Sequence, residues 1–333
     1  MLARGPLPHR LKLATFCTVT VCYFLLTTVR NLFTDDALLR SHFHAIGIES
    51  PAQDDASLPT LELIPRIIHQ TYKSNKIPAT WQTPHQSCLT KNPEGNWTHI
   101  LWTDETARDL IHDWYPWFLP TYEWYPYHVQ RVDSFRYFVL HHLGGIYLDL
   151  DVGCKKDLSP LLTQHAFFGK TEPFGVSNDV MGAERGHPVF GRLIASLEDN
   201  RYRRGTKYPT VMMSTGPMFV TKVVLGFLKA QNHDEEASSR RFSSQESLVT
   251  ILPPRLYGSS ADSYFRHFPG STWHSWDARI LLTINDSPFV FLLGVLIFCF
   301  MSVQWMRRAR NRFVRKEMLR RGKLMPRACQ RLA

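Results

Sequence analysis

Cysteine is scarce and poorly placed for a scaffold. Of six in 333 residues, Cys17, Cys22 and Cys299 lie in apolar runs and Cys329 in a basic end, which leaves Cys88 and Cys154. Two cysteines allow one disulfide, but neither a disulfide framework nor the ligand spacing of a zinc site. Internal repeats and low-complexity tracts are also missing. A net positive charge is missing from the bulk of the chain. The net charge is +10, yet Arg307–Ala333 alone carries +10 with one acid, Glu317, and the first twelve residues add +3. Residues 13–287 therefore carry −3, and no general basic field exists there to gather nucleic acid.

Charged residues are absent from two stretches, Leu13–Val29 and Pro288–Met306, of 17 and 19 residues. At about 1.5 Å per residue each helix would reach roughly the hydrocarbon thickness of a thin bilayer. The first ends without a small-x-small cleavage site, so it reads as an uncleaved signal anchor. The second runs directly into Arg307-Arg308 and reads as a second span. The basic flanks belong on the cytosolic side. The expected order is a cytosolic start (1–12), an anchor (13–29), a polar stalk (31–61), a lumenal domain (62–287), a second span (288–306) and a cytosolic basic tail (307–333). A sequon at Asn96-Trp97-Thr98 would carry glycan only if lumenal, whereas that at Asn285 sits against the second run.

From Ile64, short apolar runs alternate with amphipathic segments for about 215 residues, the texture of one α/β domain. Strands are expected at Arg66–Tyr72 and Thr98–Thr103, then a helix from Asp104 to Trp114 capped by Thr103 or Asp104. Prolines at 116, 120 and 126 forbid one continuous helix through the aromatic stretch Trp114–Tyr127, whose rings suit core packing or a membrane interface. In Val129–Asp151, Val132, Phe135, Val139 and Leu143 recur at helical spacing, with Asp133 and Arg136 neighbours on an adjoining face. Gly144-Gly145 stops the helix, and a strand follows with Tyr147, Asp149 and Asp151 on one face.

Two carboxylates on one face at the end of a buried strand are costly without a counter-charge. A divalent metal held by Asp149-x-Asp151, together with an anionic ligand, answers that need. A bare D-x-D is weak evidence, but this one closes a helix, Gly-Gly break and strand in sequence.

That run, Arg131–Asp151, resembles the signature of the DXD-containing sugar transferases of GT-A fold. Within them it is similar to the catalytic subunits of fungal mannosyl inositol phosphorylceramide synthase. Further matching blocks are Ile64–Tyr72, Ile100–Glu105, Tyr115–Leu119, Val176–Gly182, Ser214–Pro217 and Gly270–His274. The resemblance implies retaining transfer of mannose from GDP-mannose to inositol phosphorylceramide. It implies a divalent metal, Mn²⁺ first, a Golgi membrane, and a small membrane regulatory subunit as partner. For the catalytic site it implies Asp133, Arg136, Asp149 and Asp151, and for the metal Asp149 and Asp151, with Asp151 the direct ligand, and a late region containing Ser271 and His274, His267 being a weaker candidate. Asp133, Arg136, Tyr147 and Trp273 are expected to face the donor, as is the Arg66–His69 strand. Asn178 and Asp179 are expected on the acceptor side. A mannosyltransferase acting on glycoprotein N-glycans, or a non-catalytic membrane scaffold, are the alternative readings.

Overall fold

A computed structural model describes residues 27, 30–31, 34–43, 61–237, 249–270, 276–279, 301–305, 307–308 and 310–312. Most of both apolar runs, Ser271, Trp273 and His274 lie outside the described residues. Phe33–Asp277 form one compact unit, and Met1–Leu32 with Ala278–Ala333 another. The site belongs to the first. Among the described residues one helical stretch, Lys207–Gln231, is long and apolar enough to cross a membrane, but 67% of its apolar window is buried within the protein, as in a core helix.

The centre of the unit is a six-stranded mixed sheet in the order β2-β1-β3-β6-β5-β7. The strands are β1 (Ile67–Thr71), β2 (Thr98–Trp102), β3 (Gly145–Leu148), β5 (Ala166–Lys170), β6 (Val176–Ala183) and β7 (Val249–Leu252). β1 runs parallel to both β2 and β3, whereas β6 is antiparallel to β3 and β5. Alternate side chains enter two cores: Ile146, Leu148, Phe167 and Val180 on one face, Tyr147, Phe168 and Met181 on the other. A separate two-stranded sheet pairs β4 (Val152–Cys154) with β8 (Phe265–His267).

Local chemistry accounts for the elements around the site. In α3 (Asp104–Trp114), Thr103 and Thr106 form a reciprocal capping box. The helix α5 (His128–Leu143) packs on the sheet with Phe135, Val139 and Leu140 fully buried. It ends at Gly144 and Gly145, whose φ values of +69° and +96° disfavour any residue with a Cβ. A Cβ at Gly145 would also lie 2.7 Å from the Ile67 carbonyl oxygen. These glycines allow the chain to reverse tightly from α5 into β3. α2 (Ala79–Lys91) is tied to β4 by a Cys88–Cys154 disulfide. The aromatic stretch divides, with Phe118, Tyr122 and Tyr125 buried and Trp114, Trp117 and Trp124 at least half exposed.

Two expectations change. The strand ends at Leu148, so Asp149 and Asp151 stand in the turn that follows it. Part of the segment expected to be a stalk is folded onto the domain. Residues 34–41 form a helix, α1, whose Leu39 is fully buried, and the His42 carbonyl accepts from Ile251 N at 3.0 Å on the edge strand β7. Asp36 forms an ion pair with the fully buried Lys170 ammonium at 2.8 Å. A buried lysine requires a counter-charge, and the polar segment supplies it.

Candidate active site

Because β1 and β3 run parallel, their carboxyl ends open together on one side of the sheet, where α/β folds commonly bind ligands. A cleft of about 700 Å³ lies there. Thr71 and Tyr72 border it from β1, Asp149 and Asp151 from the turn after β3, and Asp179 from β6. Tyr127, Val132 and Arg136 come from the start of α5, Lys207 from α7 (Lys207–Ser214), and Gly270 from beyond β8.

Arg136 organises the floor. Its Nη2 lies 3.0 Å from Asp133 and 3.2 Å from Asp149, Nη1 donates to the Asn178 carbonyl at 2.6 Å, and the guanidinium stacks 4.7 Å from the Tyr147 ring. Helical i,i+3 spacing brings the Asp133 partner, while Asp149 comes from the strand laid beside the helix. The Asp133 carboxylate is fully engaged, since Thr215 Oγ1 and Asn178 Nδ2 also donate to it, each at 3.0 Å. Asp149 accepts from the Tyr147 hydroxyl at 2.9 Å as well as from Arg136.

A second group forms across the β3–β6 pairing. The Asp149 backbone N donates to the Asp179 carbonyl. The Asp179 carboxylate accepts from Tyr257 Oη at 2.8 Å and contacts His267 Nε2 at 3.1 Å. His267 arrives because β8 pairs with β4, placing Val152 opposite it. Gly270 rests on Asp151 so closely that a Cβ there would lie 1.7 Å from Oδ2. The Gly270–His274 block thus begins against the second acid of the D-x-D.

The charge balance is uneven. Four carboxylates, Asp133, Asp149, Asp151 and Asp179, face one guanidinium and one imidazole. Burial pushes Asp149 up to about 7 despite Arg136, with Asp151 and Asp179 adding to the rise. Burial and the nearby Asp179 charge also raise Asp151. For Asp179 burial acts upward, but the His267 bond outweighs it and holds the carboxyl below its usual range. His267 shows the converse: burial opposes its charge, and Asp179, Asp151 and Asp149 together raise its pKa.

A hard divalent cation fits this donor set. The surplus of oxygen anions is what such an ion neutralises, and Asp151 makes no side-chain bond to another described residue that would compete. Asp149 is already held by Arg136 and Tyr147, which suits contact through water better than direct ligation. Among the described residues no group of three acid, histidine or cysteine side chains is arranged to hold a metal on its own. Ser271 and His274, expected as further ligands, lie outside the described residues.

Several expected donor and acceptor contacts fall elsewhere. Arg66 sits at the amino end of β1, away from the cleft, paired with Glu62 and 5.5 Å from the Trp97 ring. His69 is fully buried: Trp102 Nε1 donates to its Nδ1 at 3.1 Å, so Nε2 carries the proton and donates to the Gly144 carbonyl. Burial lowers its pKa to about 4, and it serves as a neutral strut. The Tyr147 side chain is buried between Thr71 and Asp149 rather than open to a phosphate. The Asn178 amide, 5% exposed, is committed to Asp133 and the Tyr137 hydroxyl. Asp179 joins the acid cluster, and Tyr257 is its unanticipated partner. No local signal marks Tyr257, which only the fold brings near. Asn96 is exposed in a turn, accessible to modification.

The arrangement defines a class: residues 78–168 match the family model described as a glycosyltransferase sugar-binding region containing a DXD motif. The chain is 39% identical over 86% of its length, and 70% of the relative's, to mannosyl phosphorylinositol ceramide synthase CSH1 of Saccharomyces cerevisiae. It is 38% identical to inositol phosphoceramide mannosyltransferase 1 of Schizosaccharomyces pombe, covering 79% of this chain and 81% of the relative. The protein belongs to this family of inositol phosphoceramide mannosyltransferases. Among solved structures, the PaToxG glycosyltransferase aligns with a TM-score of 0.40 and 17% identity over 56% of this chain and 83% of that one.

Proposed function

We propose that the protein transfers mannose from GDP-mannose to the inositol head group of inositol phosphorylceramide, with retention at the anomeric carbon, using a GT-A-type domain. The observation that carries this reading is the Asp149–Asp151 turn at the parallel strand ends, with surplus carboxylate charge beside a cleft of about 700 Å³. The relatives' names supply the acceptor class. A bound divalent cation, Mn²⁺ first, would be held by Asp151 and would neutralise the diphosphate as the nucleotide leaves. Arg136 fixes Asp149 and limits the rise of its pKa. His267, whose pKa Asp179 raises, would favour positive charge near the departing phosphates. Tyr147 and Thr71 lock the orientation of Asp149, and Asp133 with Asn178 locks Arg136 from behind.

The reading extends to topology: two spans near 13–29 and 288–306, a Golgi-lumenal domain, cytosolic termini, and a membrane regulatory subunit as partner. The Cys88–Cys154 pair and the exposed Asn96 suit a lumenal domain. An endoglycosidase-sensitive mobility shift that Asn96→Gln removes is expected, and a cytosolic domain would show none. The enzymatic test incubates the purified protein with Mn²⁺, inositol phosphorylceramide and either GDP-mannose or UDP-glucose. Mannosylated lipid is expected, and glucose transfer or transfer only to a glycan would overturn the assignment.

A further inference from the structure

The cleft has a basic rim that the acid site does not use. We propose that the loop Arg201–Lys207, through Lys207 and Arg203, binds the phosphodiester of the lipid acceptor; this inference rests on the acceptor reading above. Between residues 34 and 277 this is the densest basic block, with four cations in seven residues and no acid.

Its placement is specific. Lys207 and Tyr127 both border the cleft that contains Asp149 and Asp151. The Lys207 ammonium lies 5.8 Å from the Tyr127 ring centroid and the Arg203 guanidinium 6.0 Å from it. Arg203 Nη2 also donates to Tyr127 Oη at 3.4 Å. One aromatic ring thus gathers two cations at the edge of the pocket. The backbone holds them there: Arg204 N donates to Thr210 Oγ1 at 2.8 Å, and Tyr208 N to Asp277 Oδ2 at 2.7 Å. Among the described residues no carboxylate forms a salt bridge with Arg203, Arg204 or Lys207.

One cleft therefore presents two opposite characters. Its acids repel a phosphodiester unless a cation intervenes, while its rim attracts one directly. An acceptor that carries hydroxyls at one end and an anionic phosphodiester at the other matches this polarity, with the hydroxyls toward the acids.

The test uses the full-length protein in mixed micelles and compares wild type with Lys207→Gln, Arg203→Gln, the double variant, and Lys207→Arg. The double variant is expected to raise the KM for inositol phosphorylceramide about tenfold, with the KM for GDP-mannose within about twofold of wild type and partial recovery in Lys207→Arg. Inhibition of wild type by soluble inositol 1-phosphate, but not by inositol, is expected to weaken in the same variants. An unchanged acceptor KM overturns the proposal. So does a rise confined to the GDP-mannose KM, which would assign the cations to the nucleotide diphosphate. A wild type that transfers no mannose to this lipid removes the acceptor reading itself, whereas normal wild-type transfer with unaltered variants removes only the role of the loop.

Discussion

Replacing Asp36 by Ala tests whether the segment preceding the domain is a structural part of it. Lys170 is completely buried, and its ammonium has Asp36 at 2.8 Å and the Thr171 carbonyl at 2.6 Å. Removing the carboxylate leaves a buried cation with one neutral acceptor. Breaking a buried pair in this way costs about 3 to 5 kcal/mol, or roughly 6 to 20 °C in Tm for a domain of this size. The reverse deletion, Lys170→Met, is expected to cost less, because Asp36 is partly exposed and retains Arg40 at 2.6 Å. The double variant should recover most of the loss. Thermal unfolding of the detergent-purified protein, followed by near-UV circular dichroism, reads all three. A loss below about 1 kcal/mol for Asp36→Ala, the value of a surface pair, would refute the docking of residues 34–43.

Cys154→Ser, or reduction, should lower stability by about 4 kcal/mol from loop-closure entropy, since the bridge closes a sequence separation of 66. Tm with and without reductant measures it. Acid should destabilise the fold through His69 and His187, which burial holds at about 4. Between about pH 6.5 and 4 the unfolded chain takes up protons that the folded one refuses. Stability is therefore full above that window and falls by about 3 kcal/mol per histidine across it. His187 Nδ1 accepts from Val189 N at the start of α6 (Pro188–Asn200), so His187→Asn should keep the cap and flatten the Tm profile against pH. An unflattened profile would contradict the assignment.

Local signals carried far in this chain. The helix at Asp104–Trp114 and its Thr103 cap were readable because capping is a matter of four consecutive residues. The α5, Gly-Gly, strand and acid series was readable because its periods switch at the glycines. What resisted was anything set by strand pairing. His267 and Tyr257 meet Asp179 only through the β4–β8 pairing and the packing of α9 (Pro254–Tyr257), more than 70 residues along. Arg66 immediately precedes β1 and His69 lies within it, the one at the amino end and the other in the core, which residue type does not disclose. Tyr147 was expected to face the donor and Asn178 the acceptor, whereas the fold commits their polar atoms to Asp149 and Asp133. Residues 34–43 carry too short an apolar pattern to announce a docked helix; Leu39 alone is fully buried there.

The central claim is that mannose transfer runs through the Asp149–Asp151 turn, and Asp151→Ala tests it most directly. The variant and wild type are compared for GDP-mannose-dependent mannosylation of inositol phosphorylceramide, with protein abundance and Tm measured alongside. Asp151 is partly exposed, and its loss relieves repulsion with Asp179, so the fold should survive at near-normal abundance. Transfer should fall at least about a hundredfold. A well-folded Asp151→Ala protein that still makes mannosylated lipid at the wild-type rate would contradict the account.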